Sequence, residues 1–201
     1  DDLTSLQVDD VLSRPFKAQD LKNRVKMAER ILSLAGNLAV VRDQLEAQAL
    51  FEPLTGFMNQ NAFLRQSTGE MERARRASQP VSLITLDIDN FKTINDTFGP
   101  ATGDDVLRVV SQSIREKSRP YDCIGHWAGG DEFVILVTGV IGADAEKIAD
   151  RIIAGVRGTR VEVQNEAPLS VKISAGIASA SHINTSTDID LMVDKSQQAV
   201  A

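Results

Sequence analysis

The stretch Ala128-Gly129-Gly130-Asp131-Glu132-Phe133-Val134-Ile135-Leu136-Val137 decides how the rest of the chain is read. Two glycines, two carboxylates and then an apolar run describe a tight turn that feeds a buried strand and leaves the acids at its mouth. Such a mouth suits a metal or a phosphate. Glycine admits another backbone or a nucleotide without a Cβ in the way, and paired carboxylates supply hard oxygen ligands for Mg²⁺. A hairpin turn with solvated acids is the plain alternative, so the reading turns on what the chain sets opposite.

Upstream, Val81-Ser82-Leu83-Ile84-Thr85-Leu86-Asp87-Ile88-Asp89 is a second apolar run ending in acids. It reads as a central strand covered on both faces, with Asp87 and Asp89 on one side by the period of two, at the end where open sheets keep their ligands. A strand ending in Asp87 can lie beside a hairpin tip carrying Asp131 and Glu132, and the resulting carboxylate cluster suits Mg²⁺ better than a softer ion. Lys92 just beyond the strand is placed to meet phosphate charge, or is a surface lysine. Asn95 and Asp104 could read the edge of a base; otherwise Asn95 is a turn residue and Asp104 caps the helix it opens.

Around these runs, periodicity predicts helices over about 60–78, 104–117 and 143–156, and from Ile189 onward. It predicts a hairpin of 123–127 with 133–138, and strands over 160–164 and 171–178. Helix, strand, helix, hairpin, helix, strands, helix suits an α+β sandwich, with helices packed on a mainly antiparallel sheet.

Composition narrows the class. The chain has 201 residues, 42% hydrophobic and 25% charged, enough for one ordinary domain plus an appendage. A net charge of −6 argues against a nucleic-acid groove, which needs a basic stripe. A compact anionic ligand held through a cation remains compatible. The single Cys123 can form no internal disulfide and reads as a small core residue; His126 and His182 stand alone. No apolar run approaches the ~18 residues of a membrane span, and the start is no signal peptide, so a soluble cytoplasmic protein is expected.

Residues 1–50 differ in character. Val8 to Leu12 is a short apolar stretch closed by Ser13-Arg14-Pro15-Phe16. From Lys17 to about Gln48, Leu21, Val25, Ala28, Leu32 and Ala35 recur at spacings of four and three, the seam of a coiled coil or of a helix packed on a partner. After Gly36-Asn37 the seam restarts one residue out of phase at Leu38, Val41, Leu45 and Gln48, by a stutter or by a true break between two helices. A seam this narrow favours dimerisation over folding back on its own domain.

Two resemblances add to these readings. The first residues and the helix after them resemble the end of a receiver domain of bacterial two-component signalling, in which a last strand leads through a Lys-Pro-Phe turn to a final helix; here the turn is Arg14-Pro15-Phe16. That implies a receiver remnant over 1–33, a helical and possibly coiled-coil linker over 34–50, and further receiver sequence and a sensor kinase upstream. From Glu52 onward the chain resembles the GGDEF family of diguanylate cyclases, through Leu54-Thr55-Gly56, Asp87-Ile88-Asp89, Phe91-Lys92, Ile94-Asn95-Asp96, Gly103-Asp104 and Gly129 to Phe133. The implied domain is 51–201, on a sheet like the palm of the adenylyl cyclase core, and continues past Ala201 with a phosphate-gripping lysine and arginine.

The GGDEF resemblance implies condensation of two GTP into cyclic di-GMP with release of two pyrophosphates, at the interface of two such domains in a homodimer. It implies Mg²⁺ or Mn²⁺ held by Asp87, the Ile88 carbonyl and Asp131. Asp131 would also favour deprotonation of the attacking 3′-hydroxyl, with Glu132 supporting the metal and Lys92 the phosphates. Asn95 and Asp104 would read guanine, and Gly129 and Gly130 would admit the triphosphate. Arg119 and Asp122 match the family's inhibitory product site, although six residues separate Asp122 from Gly129 where five are usual; a bulge near Trp127 would absorb the extra one. Pro100 stands where the family has a histidine, and Gln60 where it has an arginine. The alternative is an inactive module of the same fold that binds GTP or cyclic di-GMP as a sensor.

Overall fold

The computed structural model describes Pro15 and residues 17–48, 50–127, 129–163, 166–184 and 187–200, with the backbone alone at 39 and 42–48. The expected strand at Val8 to Leu12 and most of the receiver-like turn lie outside the described residues, as do Ala128, Gln164 and Ala201. The chain divides into two compact units, 1–48 and 49–201.

The first unit contributes one helix, α1 (Ala18–Gln48), whose described side chains are exposed. It runs through Gly36-Asn37 without the break that was one of the two expectations. A helical glycine costs about 1 kcal/mol against alanine and does not by itself end a helix. The register of Leu38 and Val41 also reaches back through Leu34 and Ile31 to Met27 at spacings of four and three, so one apolar seam crosses the glycine. Among the described residues, no helix is long and apolar enough to cross a membrane.

The second unit is an antiparallel sheet of four strands in the order β2-β3-β1-β4, with β1 (Val81–Ile88), β2 (Cys123–His126), β3 (Glu132–Thr138) and β4 (Ile173–Ala180). Helices α2 (Gln60–Arg76), α3 (Phe91–Phe98), α4 (Pro100–Lys117), α5 (Ala143–Arg157) and α6 (Ile189–Gln198) surround it. Alternation along β1 sends Ile84, Leu86 and Ile88 into a core shared with Val106, Val110 and Ile114 of α4 and Ile148 and Ile152 of α5. Val81 and Leu83 face the opposite way, into a core with Phe63 and Met71 of α2 and Met192 and Val193 of α6. Each fully buried side chain of this size contributes about 1.5–3 kcal/mol. Burial on both faces is therefore what holds β1 in the middle, and the expected α+β sandwich is the fold observed. Cys123 is buried in the second core, as read from the sequence.

The segment 91–98, to which periodicity assigned no element, forms a helix of its own, and two local expectations change. Among the described residues, the strand expected over 160–164 is reduced to a single bridge, Val161 with Leu169, and the Val163 carbonyl that would carry the ladder on instead accepts the Glu166 N–H at 3.3 Å. Helix α4 begins at Pro100 rather than Asp104: proline suits the first helical position, its φ preset and its missing N–H not needed there, and Gly99 caps it. Asp104 is thus an exposed residue within α4, not its cap.

Candidate active site

The site is built where β1 and β3 end together. In their register Asp87 lies opposite Glu132, and by the period of two both belong to the face covered by α2 and α6. The hairpin tip folds back on β1: the Ile88 N–H donates to the Asp131 carbonyl at 3.1 Å. Asp89, past the strand's end, receives the Ser174 hydroxyl at 2.7 Å, and its N–H donates to the Lys172 carbonyl at 3.0 Å. Gln197 of α6 donates through Nε2 to Glu132 Oε2 at 2.6 Å. Burial, followed by the negative charges of Asp131, Glu132 and Asp89, pushes the Asp87 carboxyl up to about 6.

That crowding identifies what the site lacks, which is positive charge. Oxygen donors without cysteine or histidine fit a hard divalent cation. Among the described residues, no three Asp, Glu, His or Cys side chains stand ready as a complete cage. A hard divalent ion can be held by a carboxylate or two where substrate phosphates and water complete its shell.

The tip depends on its glycines. Gly129 and Gly130 have φ of 133° and 92°, in the left-handed half of the map where a side chain would be strained. His126, expected to stand alone, is buried here: Nε2 lies 3.1 Å from the Gly130 carbonyl oxygen, and the ring stacks on Phe133 with centroids 4.8 Å apart. Its Nδ1 is 3.7 Å from Glu52 Oε2, the same oxygen that accepts the N–H groups of Leu54 and Thr55, each at 2.9 Å. The turn at 52–57 is therefore joined to the tip through one imidazole.

Among the described residues, no bulge appears near Trp127. The β2–β3 register runs unbroken from Cys123 opposite Leu136 to His126 opposite Phe133, and the Trp127 N–H continues it to the Glu132 carbonyl at 2.8 Å. A bulge would have broken that ladder, so the strands themselves do not absorb the additional residue.

Lys92 is exposed in the first turn of α3, just past Asp89. Asn95, in a helix rather than a turn, lies against α4: a Cβ on Gly103 would collide with its side-chain amide, so the absence of one lets Asn95 pack against Gly103, the residue before Asp104. The structure thus places Asn95 and Asp104 on adjoining turns, and Asp87, Asp131 and Glu132 at a shared strand end.

Arg119 and Asp122 form a turn in which the Asp122 carboxylate accepts the Arg119 backbone N–H at 2.8 Å. This differs from the surface ion pair that two such charges would suggest. Burial raises the Asp122 carboxyl above the usual range. Both residues line a cleft of about 450 Å³ together with Arg115, Phe57, Met58 and Ile124. Arg115 stacks over the Phe57 ring at 4.8 Å and donates to the Thr55 carbonyl at 3.0 Å.

Four contributors escaped the sequence reading: Glu52, His126, Ser174 and Gln197. Glu52 sits in a Pro/Gly-punctuated turn, where an acid that caps its own turn is a usable signal. The others act across the sheet and leave no local trace.

Comparison with known proteins bears on the family and the fold. The family described as "Diguanylate cyclase, GGDEF domain" matches residues 49–201. Response regulator PleD of Caulobacter vibrioides is 36% identical over 172 residues, covering 85% of this chain and 38% of PleD. Diguanylate cyclase DgcP of Pseudomonas aeruginosa is 34% identical over 163 residues, 79% of this chain and 24% of DgcP. The chain thus spans well under half the length of these relatives. Among solved structures, diguanylate cyclase SiaD of Pseudomonas aeruginosa, determined with its activator SiaC, superposes with a TM-score of 0.69 at 27% identity, over 91% of this chain and 70% of SiaD. The active GGEEF domain of a diguanylate cyclase from Vibrio cholerae superposes at 0.62 with 30% identity, over 71% of this chain and 87% of that domain.

Proposed function

Because the chain belongs to the GGDEF family of diguanylate cyclase domains, we propose that it condenses two GTP into cyclic di-GMP, releasing two pyrophosphates. The observation that carries this reading is the convergence of Asp87, Asp131 and Glu132 at one strand end, crowded enough to raise the Asp87 carboxyl to about 6. A divalent cation, Mg²⁺ or Mn²⁺, would neutralise that crowd and stabilise the charge that builds on the α-phosphate during in-line attack.

Asp87, the Ile88 carbonyl and Asp131 would hold the cation, with Glu132 in support. Asp131 accepts the proton of the attacking 3′-hydroxyl, whose oxygen bonds to the α-phosphorus as pyrophosphate leaves. Lys92 meets phosphate charge, Asn95 and Asp104 read the guanine edge, and the bare backbone at Gly129 and Gly130 lets the triphosphate lie close. Each domain holds one GTP, so two must face each other. The exposed seam of α1 supports a homodimer as the means of bringing them together. The likeness of the first residues to a receiver supports control by phosphorylation upstream, and the cleft carrying Arg119 and Asp122 supports feedback binding of cyclic di-GMP.

The test is formation of cyclic di-GMP from GTP and Mg²⁺ over a range of protein concentrations, with Asp131→Ala as control. Product that rises faster than linearly with protein and disappears in the control supports two half-sites. Binding of GTP or cyclic di-GMP with no turnover supports the sensor instead.

A further inference from the structure

Helix α6 turns a stripe of Ile189, Met192, Val193 and Ser196 toward the sheet, all of them buried. The next position on that stripe, four residues after Val193, is Gln197. An apolar residue would continue the stripe, yet here it carries an amide whose Nε2 lies 2.6 Å from Glu132 Oε2. The placement of this amide is firmly set. Ser196 and Thr85 of β1 share a buried hydroxyl hydrogen bond of 2.6 Å, two residues before Asp87. Gly176 of β4 has no Cβ to push away the Ser196 carbonyl, which sits where one would be. The helix is therefore registered on the strands that carry the acids.

Building on the cation site proposed above, we infer that Gln197 is a positioning residue for it. By occupying Oε2 it fixes the Glu132 carboxylate in one rotamer and leaves Oε1 for the cation or its water. Ser174 plays the corresponding part for Asp89. Among the described residues, no side-chain hydrogen bond reaches the carboxylates of Asp87 or Asp131, the pair left open to coordinate. The amide also supplies a donor to a site with an excess of acceptors. Partners that orient a ligand in this way typically matter about 10- to 100-fold in metal affinity.

Mn²⁺ binding to the nucleotide-free protein, read from the electron paramagnetic resonance of the unbound ion, tests this without turnover. Gln197→Met keeps the length and removes the donor. It is expected to weaken Mn²⁺ binding about tenfold while leaving the unfolding midpoint close to wild type; Gln197→Asn, too short to reach, should do the same and replaces it if the methionine variant fails to fold. In a Glu132→Gln background, Gln197→Met should cost nothing more. In turnover, the variant should raise the Mg²⁺ concentration for half-maximal rate and leave kcat at saturating Mg²⁺ nearly unchanged. Equal Mn²⁺ affinity in wild type and Gln197→Met, or additive losses in the double variant, overturns the role of Gln197 alone. No Mn²⁺ binding by the wild type, either nucleotide-free or with a non-hydrolysable GTP analogue added to complete the shell, overturns the cation site itself, and this inference with it.

Discussion

At the scale of single residues, the site is a concentration of like charge that the fold tolerates at a cost to stability. The Asp87 carboxyl titrates near 6 in the folded protein and near the ordinary carboxylate value when unfolded. The folded state therefore binds more protons between about pH 4 and pH 6, so the stabilisation from this group is complete below that window and is lost as pH rises through it. In chelator, the unfolding midpoint of the wild type should fall from pH 4 to pH 6 more steeply than that of Asp87→Asn. At pH 7 the variant should be the more stable of the two, and Mg²⁺ should stabilise only the wild type. Thermal unfolding with and without Mg²⁺ checks both signs. His126 offers a second prediction. Among the described residues its ring meets the tip at the Gly130 carbonyl and the Phe133 face, so His126→Phe should keep the stack, free the carbonyl and lower cyclic di-GMP formation by up to about a hundredfold, the cost of a small misplacement of reacting groups. An unchanged rate would show that the glycine turn holds its own shape.

At the scale of elements, the contact between α3 and α4 is the sensitive joint. Asn95 packs where Gly103 has no side chain, so Gly103→Ala must displace the amide. Overpacking of this kind costs about 1–3 kcal/mol. The expected outcome is a modest fall in the unfolding midpoint and a marked rise in KM for GTP, with cation binding intact because the acids lie on β1 and β3. Enzyme kinetics beside Mn²⁺ binding separates the two effects. The sequence marked this joint only in part. Asn95 and Asp104 could be singled out, but α3 went unread because a two-turn helix shows too few apolar positions for a period to emerge. Asp104 was placed at a helix start because its capping chemistry is local, whereas the true start follows from Pro100 and Gly99.

At the scale of the whole molecule, α1 presents Met27, Ile31, Leu34, Leu38 and Val41 to solvent at coiled-coil spacing. Burying one such side chain against a second copy contributes about 1.5–3 kcal/mol, and about 1.4 kcal/mol is a tenfold change in an association constant. Leu34→Asp with Leu38→Asp should therefore raise the protein concentration at half-maximal specific activity by well over tenfold. Sedimentation and activity measured over the same range should move together. A dimer that persists in this variant would place the association elsewhere.

The sequence by itself determined the two apolar runs, the acids at their ends, the glycine turn between β2 and β3, and the helices that cover the sheet. Each of these is written in neighbouring residues by period and turn chemistry. Tertiary structure alone decided that Asp87 faces Glu132, that His126 bridges the turn at 52–57 to the hairpin tip, and that Gln197 reaches an acid 65 positions away. It also decided that Gly36 does not break α1 and that 160–163 does not become a strand. These outcomes depend on register and on what packs opposite, and a strand's local sequence does not name its partner. Closing loops of this length brings together side chains whose types are ordinary one by one, and only their convergence raises the Asp87 carboxyl and makes a site that calls for a cation.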